Sequence, residues 1–441
     1  MVTRWLPCLL GWLSIGFFGC SHEQTQKRPL TFWCSNNAGE ITFAKEFVER
    51  WQNRRPDKPL QYQPIPEGQS SEEIILASVV GKTTPDIYAN MWQGSVEMYA
   101  KAKVLVPLDT LKGFLEFIKN RCDSAVIREI TSSDGHIYQV PWKVNPIMLI
   151  CNTQAVDALQ HAKPPYSYTR YLDAGRQFKR DNNGDGYVDQ WLGYTEVKAI
   201  WYERLFNFYP LYLAASNGAP LITNNRGRPS RAAFNNRYAV EVFRFLQTLY
   251  KDNYFARERL SATRNPFLAK RIASQFTGPW TVGFLEKFKD PGFEYDTYAM
   301  PVPDGHRGPT YTYGDPKNIV IFNTCRDPQA AWEFVKTLVD KPGDLRLMEL
   351  TNQFPRRKNV DTDAYFTSFL AKNPRLLPFA QQTRYIKGVD NSEVIVEVFD
   401  IISQEYEACV IFNKKTPEAA IADAAKAVDV LLKSERPGRS L

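Results

Sequence analysis

Four tryptophans of this chain stand beside amide or hydroxyl side chains where one element should give way to the next. Trp33 lies at the end of an expected strand and is followed by Ser35, Asn36 and Asn37. Trp92 and Gln93 follow another expected strand in the same manner. Trp142 and Asn145 sit in an extended apolar stretch, and Trp280 follows Gly278 and Pro279 at a strand-to-helix turn. Tyr313 and Asp315 precede a further strand, and Arg356 closes the run Gln353-Phe354-Pro355-Arg356. An indole face stacks on an apolar surface, while nearby amides and hydroxyls pair with a polar edge. Together they suit reversible recognition of a molecule with apolar faces and a polar rim. The ends of strands are where open α/β sheets present such groups to a ligand. For each tryptophan, packing in a core is the plain alternative. Arg356 offers a donor to a hydroxyl or an anion, or else a solvated surface charge.

Bond-breaking chemistry is poorly represented. The chain has no G-x-S-x-G, no H-E-x-x-H and no phosphate loop. Its histidines, His22, His136, His161 and His306, form no ligand-like pair. Asp181, Asn183, Asp185 and Asp189, with Gly186, copy the start of a calcium loop. Leu192 stands where such a loop needs its bidentate glutamate, so a turn without metal is the expected reading. No other metal site and no cofactor is expected.

The elements that must position these groups alternate. Residues 30–34 read as a buried strand. Phe43, Phe47 and Trp51 recur every four residues and predict a helix. Residues 60–65 form a second strand, and Ser70-Ser71-Glu72-Glu73 reads as a capping box that opens a helix through Val80. Residues 86–89 form a third strand, with a helix over 95–103. Strand, helix, strand, helix, strand predicts a parallel sheet covered by helices. Residues 137–152 are extended. Helices are expected near 168–179, 200–215 and 234–250, an extended stretch over 295–302 and a strand over 319–322. Asp327-Pro328 and Thr416-Pro417 each place a capping side chain before a proline at the first helical position.

The length of 441 residues exceeds what one core usually supports, so two lobes are expected. The net charge of +7 is spread without a basic block, which gives no nucleic-acid footprint. Arg4 and the apolar run after it describe an export signal over 1–19. Phe17-Phe18-Gly19-Cys20 resembles the lipobox of bacterial lipoproteins, with Phe17 and Phe18 where leucine and a small residue are usual. Cys20 would then be the acylated first residue of the mature chain, and 20–28 a polar tether. A plain secretory signal with an incidental Cys20 is the alternative. No later stretch is apolar enough to span a bilayer, so lipid would be the only membrane attachment, outside the cytoplasm at the cell envelope. Five cysteines remain, at 34, 122, 151, 325 and 409, without zinc-like spacing. Burial as small hydrophobes is their default reading, and one disulfide stays open.

Several ordered motifs resemble one family. Lys82-Thr83-Thr84-Pro85-Asp86-Ile87-Tyr88 is similar to its "G-x-x-P-D-hydrophobic" element, and Val104-Leu105-Val106-Pro107-Leu108-Asp109 to "G-x-L-x-P-L-D". Asp134 to Pro141 resembles "x-G-x-x-Y-G-V-P", with Gln139 for glycine. Ile150-Cys151-Asn152 resembles "Y-N", and Gly278-Pro279-Trp280 matches "G-P-W". In this order they resemble the extracellular solute-binding proteins, family 1, of ABC-type importers, which include maltose-binding proteins.

The resemblance implies a periplasmic binding protein-like type II fold: two discontinuous α/β lobes around a ligand cleft, joined by hinge strands. One lobe would combine 29–150 with 305–341, the other 151–304 with 342–441, with crossings near Ile150, Val302 and Pro342. It places ligand contacts at Trp92, Asn145 and Trp280, with Trp33 and Asn36 adjacent. It implies a monomer that hands a sugar or oligosaccharide to permease subunits and performs no chemistry. Polyols, glycerol-phosphate esters and oligopeptide-like solutes stay open as ligands. A carbohydrate-active enzyme, which needs only two carboxylates placed by the fold, and a sensory binding protein are the alternative functions.

Overall fold

The structure is a computed structural model that describes residues 28–67, 69–153, 166–223, 230–257, 260 and 264–434. The export signal, Cys20 and most of the tether lie outside the described residues.

The first lobe is built on a six-stranded sheet. Strands β1 (Leu30–Ser35), β2 (Leu60–Ile65) and β3 (Ile87–Trp92) pair in parallel, as the alternation predicts. Alternation along β1 sends Phe32 and Cys34 to one face, under Phe43, Phe47 and Trp51 of the helix Ala38–Arg54. Trp33 goes to the other face, beside Ile65, Ile75 and Tyr88. Two later segments complete this sheet. β4 (Val140–Val144) is antiparallel to the strand over Lys317–Ile321, which in turn is antiparallel to β3. The sheet order is thus β2, β1, β3, Lys317–Ile321, β4 and finally Phe354–Pro355. Asp327 caps the helix Pro328–Leu338 by accepting from the Ala330 N–H at 3.0 Å.

The second lobe centres on three antiparallel strands. β5 (Met148–Asn152) lies between Ser274–Thr277 and Tyr295–Tyr298. Helices Tyr168–Phe178, Phe208–Ala215, Arg237–Lys251, Ile395–Tyr406 and Pro417–Ser434 share one apolar core. In the last of these, Ala420, Ile421, Ala424, Ala425, Val428 and Leu432 form the buried stripe. Helices Trp280–Phe288, Ala364–Lys372 and Leu377–Gln382 share a separate apolar core.

The chain passes between the sheets three times. The first passage, Asn145 to Ile147, is pinned by its N–H groups: Asn145 donates to Gly314 at 2.6 Å and Ile147 to Tyr313 at 2.9 Å. The second therefore runs beside Gly314, later than Val302. The third follows Pro355 rather than Pro342, because the helix Lys341–Thr351 packs on Ala38–Arg54 and Phe354–Pro355 pairs with β4.

Other local expectations shift for physical reasons. Ser70 falls inside the helix Gln69–Val80 rather than capping it. Glu72 accepts from the Ser95 hydroxyl at 2.5 Å. The helix expected over 200–215 is broken into Trp201–Leu205 and Phe208–Ala215, because the Asn207 side chain accepts from the Phe208 N–H and starts a new helix. All five cysteines among the described residues are buried and free. Burial pushes the thiols of Cys34, Cys325 and Cys409 up to about 12, which leaves them protonated and inert.

Candidate functional site

A bulge near the end of β3 decides where the site forms. In the ladder Ile319 pairs with Ala89 and Asn318 with Met91, so Asn90 is the extra residue, and its φ is 98°. Ile87 and Ala89 point to one side of the sheet, yet Met91 joins Tyr88 on the other. The bulge re-aims the side chains beyond it. Trp92 leaves the sheet and enters the apolar core of the second lobe.

There Trp92 joins an aromatic chain that crosses the lobe boundary. Its ring lies 4.8 Å from Trp201. Trp201 leads to Tyr202 at 6.1 Å, and Tyr202 to Phe206 at 6.5 Å. Phe206 meets Trp280 at 6.3 Å and Tyr313 at 6.4 Å, both edge to face. Such pairs contribute roughly 0.5–1.5 kcal/mol each beyond their buried area. Trp280 is the first residue of its helix, with its ring folded over Gly278, where a Cβ would come within 2.0 Å of it. A larger residue there would force the ring to move.

Polar groups fix the rings. The Trp92 indole N–H donates to the Tyr313 hydroxyl at 2.9 Å, and that hydroxyl donates to Asp315 at 3.2 Å. Lys317 lies 3.1 Å from the same carboxylate. Burial first, and then the Asp315 charge, holds the Tyr313 phenol well above its ordinary value, so it stays a neutral donor. Burial likewise raises the carboxyls of Glu72, beside the Trp92 backbone, and of Glu203, beside Tyr202. Gln93 donates to the Val389 carbonyl at 3.3 Å, and its Oε1 has no partner among the described residues.

A second polar group lies at the first passage between lobes. Lys143 and Glu40 form a buried ion pair. Gln353 donates to Glu40 at 3.0 Å and accepts from the Asn145 amide at 3.0 Å. Glu40 Oε2 and Asn145 Oδ1 have no partner among the described residues. Two buried, unfilled acceptors of this kind are costly unless something supplies donors.

The structure gathers Trp92, Gln93, Trp280 and Tyr313 about the aromatic chain and puts Asn145 at the passage. It does not bring the remaining candidates there. Trp142 is turned into the first-lobe core, 6.1 Å from Phe43 and beneath Lys143, with its indole N–H unpartnered among the described residues. Trp33 packs on the sheet in mid-strand. Asn36 is exposed at the end of β1, its N–H bound to Ile65 at 2.9 Å. Arg356 is buried rather than solvated and donates to Glu129 at 2.7 Å. In the 181–189 loop the side-chain oxygens serve its own amides: Asp181 accepts from Gly184 at 2.6 Å and Gly186 at 2.8 Å, and Asp189 accepts from Asn182 at 2.8 Å. Sequence reasoning missed Trp201, Tyr202, Phe206, Glu40 and Gln353. The aromatic density from Trp201 to Tyr212 was the available signal.

The family model described as "Bacterial extracellular solute-binding protein" matches residues 37–344. A maltotriose-binding protein of Pyrococcus abyssi is 21% identical over 332 residues, covering 73% of this chain and 64% of that relative. The chain therefore spans somewhat less than two thirds of that relative's length. A Brucella abortus binding protein is 26% identical over 98% of this chain and 100% of its own. Among solved structures, a cyclic alpha-maltosyl-1,6-maltose binding protein of Arthrobacter globiformis has a TM-score of 0.75 at 20% identity, over 92% of this chain and 99% of that one.

Proposed function

This chain belongs to the bacterial extracellular solute-binding proteins, and from that premise we propose that it binds an oligosaccharide between its lobes and delivers it, unaltered, to an ABC-type permease. The observation that carries the reading is the aromatic chain from Trp92 through Trp201 and Phe206 to Trp280, which joins residues of both lobes. A sugar presents apolar C–H faces to such rings and hydroxyls to the polar groups beside them. The names of the relatives, which bind maltotriose and a cyclic maltosyl-maltose, favour the same ligand class.

In this reading Trp280 is the principal stacking face, because it is the ring of the cluster most open to solvent. Trp92 and Tyr313 form the wall behind it. Gln93 Oε1, Glu40 Oε2 and Asn145 Oδ1 accept from ligand hydroxyls. The lobes divide near the passages at Asn145, Gly314 and Pro355. A ligand that touches both lobes favours their approach and shifts the population toward it. The approached form is what a permease pair recognises. Acylation of Cys20 holds the monomer at the outer face of a membrane.

A thermal-shift screen with maltotriose, maltotetraose and a polyol panel tests the ligand class. Selective binding of one class raises the apparent melting temperature, and no shift with any sugar contradicts it. For the anchor, Cys20→Ser should move the chain from the membrane pellet to the soluble fraction. Retention in the pellet argues against acylation.

A further inference from the structure

The helix Trp280–Phe288 divides its large apolar residues between two faces. Val282 and Leu285 are buried in the second-lobe core. Trp280, Phe284 and Phe288 recur every four residues on another side, and they are 38%, 42% and 52% exposed. At a rise of 1.5 Å per residue, three rings stand along about 12 Å of one helix face. The Phe284 and Phe288 rings lie 4.9 Å apart. Lys287 places its ammonium 5.2 Å above the Phe288 ring, a cation at the edge of the stripe. Soluble chains seldom leave a run of large aromatic rings open to water without a use.

The stripe starts where the lobes meet. A Cβ on Gly283 would come within 2.7 Å of the Asn352 amide, which ends the helix Lys341–Thr351 packed on the first lobe. Trp280, at its inner end, touches Phe206 and thus the aromatic chain of the site. From the lobe boundary outward the rings are spaced about 6 Å apart along the axis, comparable with the length of a pyranose unit. One helix face thus carries the two phenylalanines and a ring of that cluster.

We propose that Phe284 and Phe288 extend the binding site beyond the lobes, as a stacking track for the protruding end of a linear oligosaccharide. This rests on the oligosaccharide reading of the site. Short chains end at Trp280, and longer ones gain contacts on the two phenylalanines. The chain thereby discriminates by ligand length.

Titration calorimetry of the mature protein with maltotriose and maltoheptaose tests this. The double variant Phe284→Ala, Phe288→Ala changes exposed side chains only, and its melting temperature should stay that of the wild type. It should bind maltoheptaose roughly three- to tenfold more weakly and maltotriose within about twofold of wild type. Trp280→Ala should weaken both. If the double variant binds both sugars normally while Trp280→Ala weakens both, the track is wrong and the proposed function stands; loss of permease capture by that variant would then assign the stripe to the permease. Equal weakening of both sugars also overturns the track. Failure of the wild-type chain to bind either sugar overturns track and function together.

Discussion

The buried charge networks around Asp344 and around Glu40 differ in one respect. Around Asp344 every valence is filled. Its two oxygens take the Arg121 guanidinium, one at 2.9 Å, and the Arg357 Nε at 2.6 Å. Arg121 spends its remaining donors on the carbonyls of Pro141, Val339 and Trp142. Around Glu40 the network is open: Glu40 Oε2 and Asn145 Oδ1 accept from nothing among the described residues. The filled network ties Lys341–Thr351 and the segment after Pro355 to the sheet and has no capacity left for a guest. The open one stands at the passage between lobes, where a guest would complete it. In the proposed reading the filled network serves the fold and the open one serves recognition.

The largest expected effect would come from breaking the filled network. Asp344→Ala strands the Arg121 charge in the core and should cost about 3–5 kcal/mol of unfolding free energy. Denaturant unfolding measures this; sugar affinity measured on the fraction that remains folded should be unchanged. A large affinity loss at full stability would erase the distinction between the two networks. Trp280→Ala should reverse that pattern. It removes an exposed stacking face, so affinity should fall about tenfold, equivalent to about 1.4 kcal/mol, with little change in melting temperature. Unchanged affinity by calorimetry would remove Trp280 from the site. Asn145→Ala tests the open network itself. It loses one hydrogen bond to Gln353, a cost of about 1 kcal/mol in stability, and it removes an acceptor offered to the ligand. Affinity should fall several-fold, and a variant that binds as tightly as wild type would show that Asn145 Oδ1 meets no ligand.

Much of this was legible in the chain. Periodicity located β1, the helix bearing Phe43, Phe47 and Trp51, and β2, because the apolar positions of those elements recur at the spacing their own geometry sets. The capping pairs Asp327-Pro328 and Thr416-Pro417 marked helix starts, because they act within one turn of chain. The site was harder. Trp92 reaches the second lobe only because of the bulge at Asn90, which no local pattern announces. Trp142 and Trp280 look alike in sequence, each a tryptophan after a proline, but one enters a sheet core and the other begins a half-exposed helix. Glu40 and Gln353 are separated by most of the chain and meet only through the fold. Arg356 looked like a surface charge because its partner, Glu129, is equally remote in sequence.

The central claim is that a carbohydrate is held between the two lobes and released unchanged. Titration calorimetry with maltotriose, followed by chromatography of the recovered sugar, tests it directly. The account predicts saturable binding of one sugar per chain, weakened by Trp280→Ala, with intact maltotriose recovered. Shortened sugar in the eluate, or heats that never rise above dilution for any oligosaccharide tried, would contradict it.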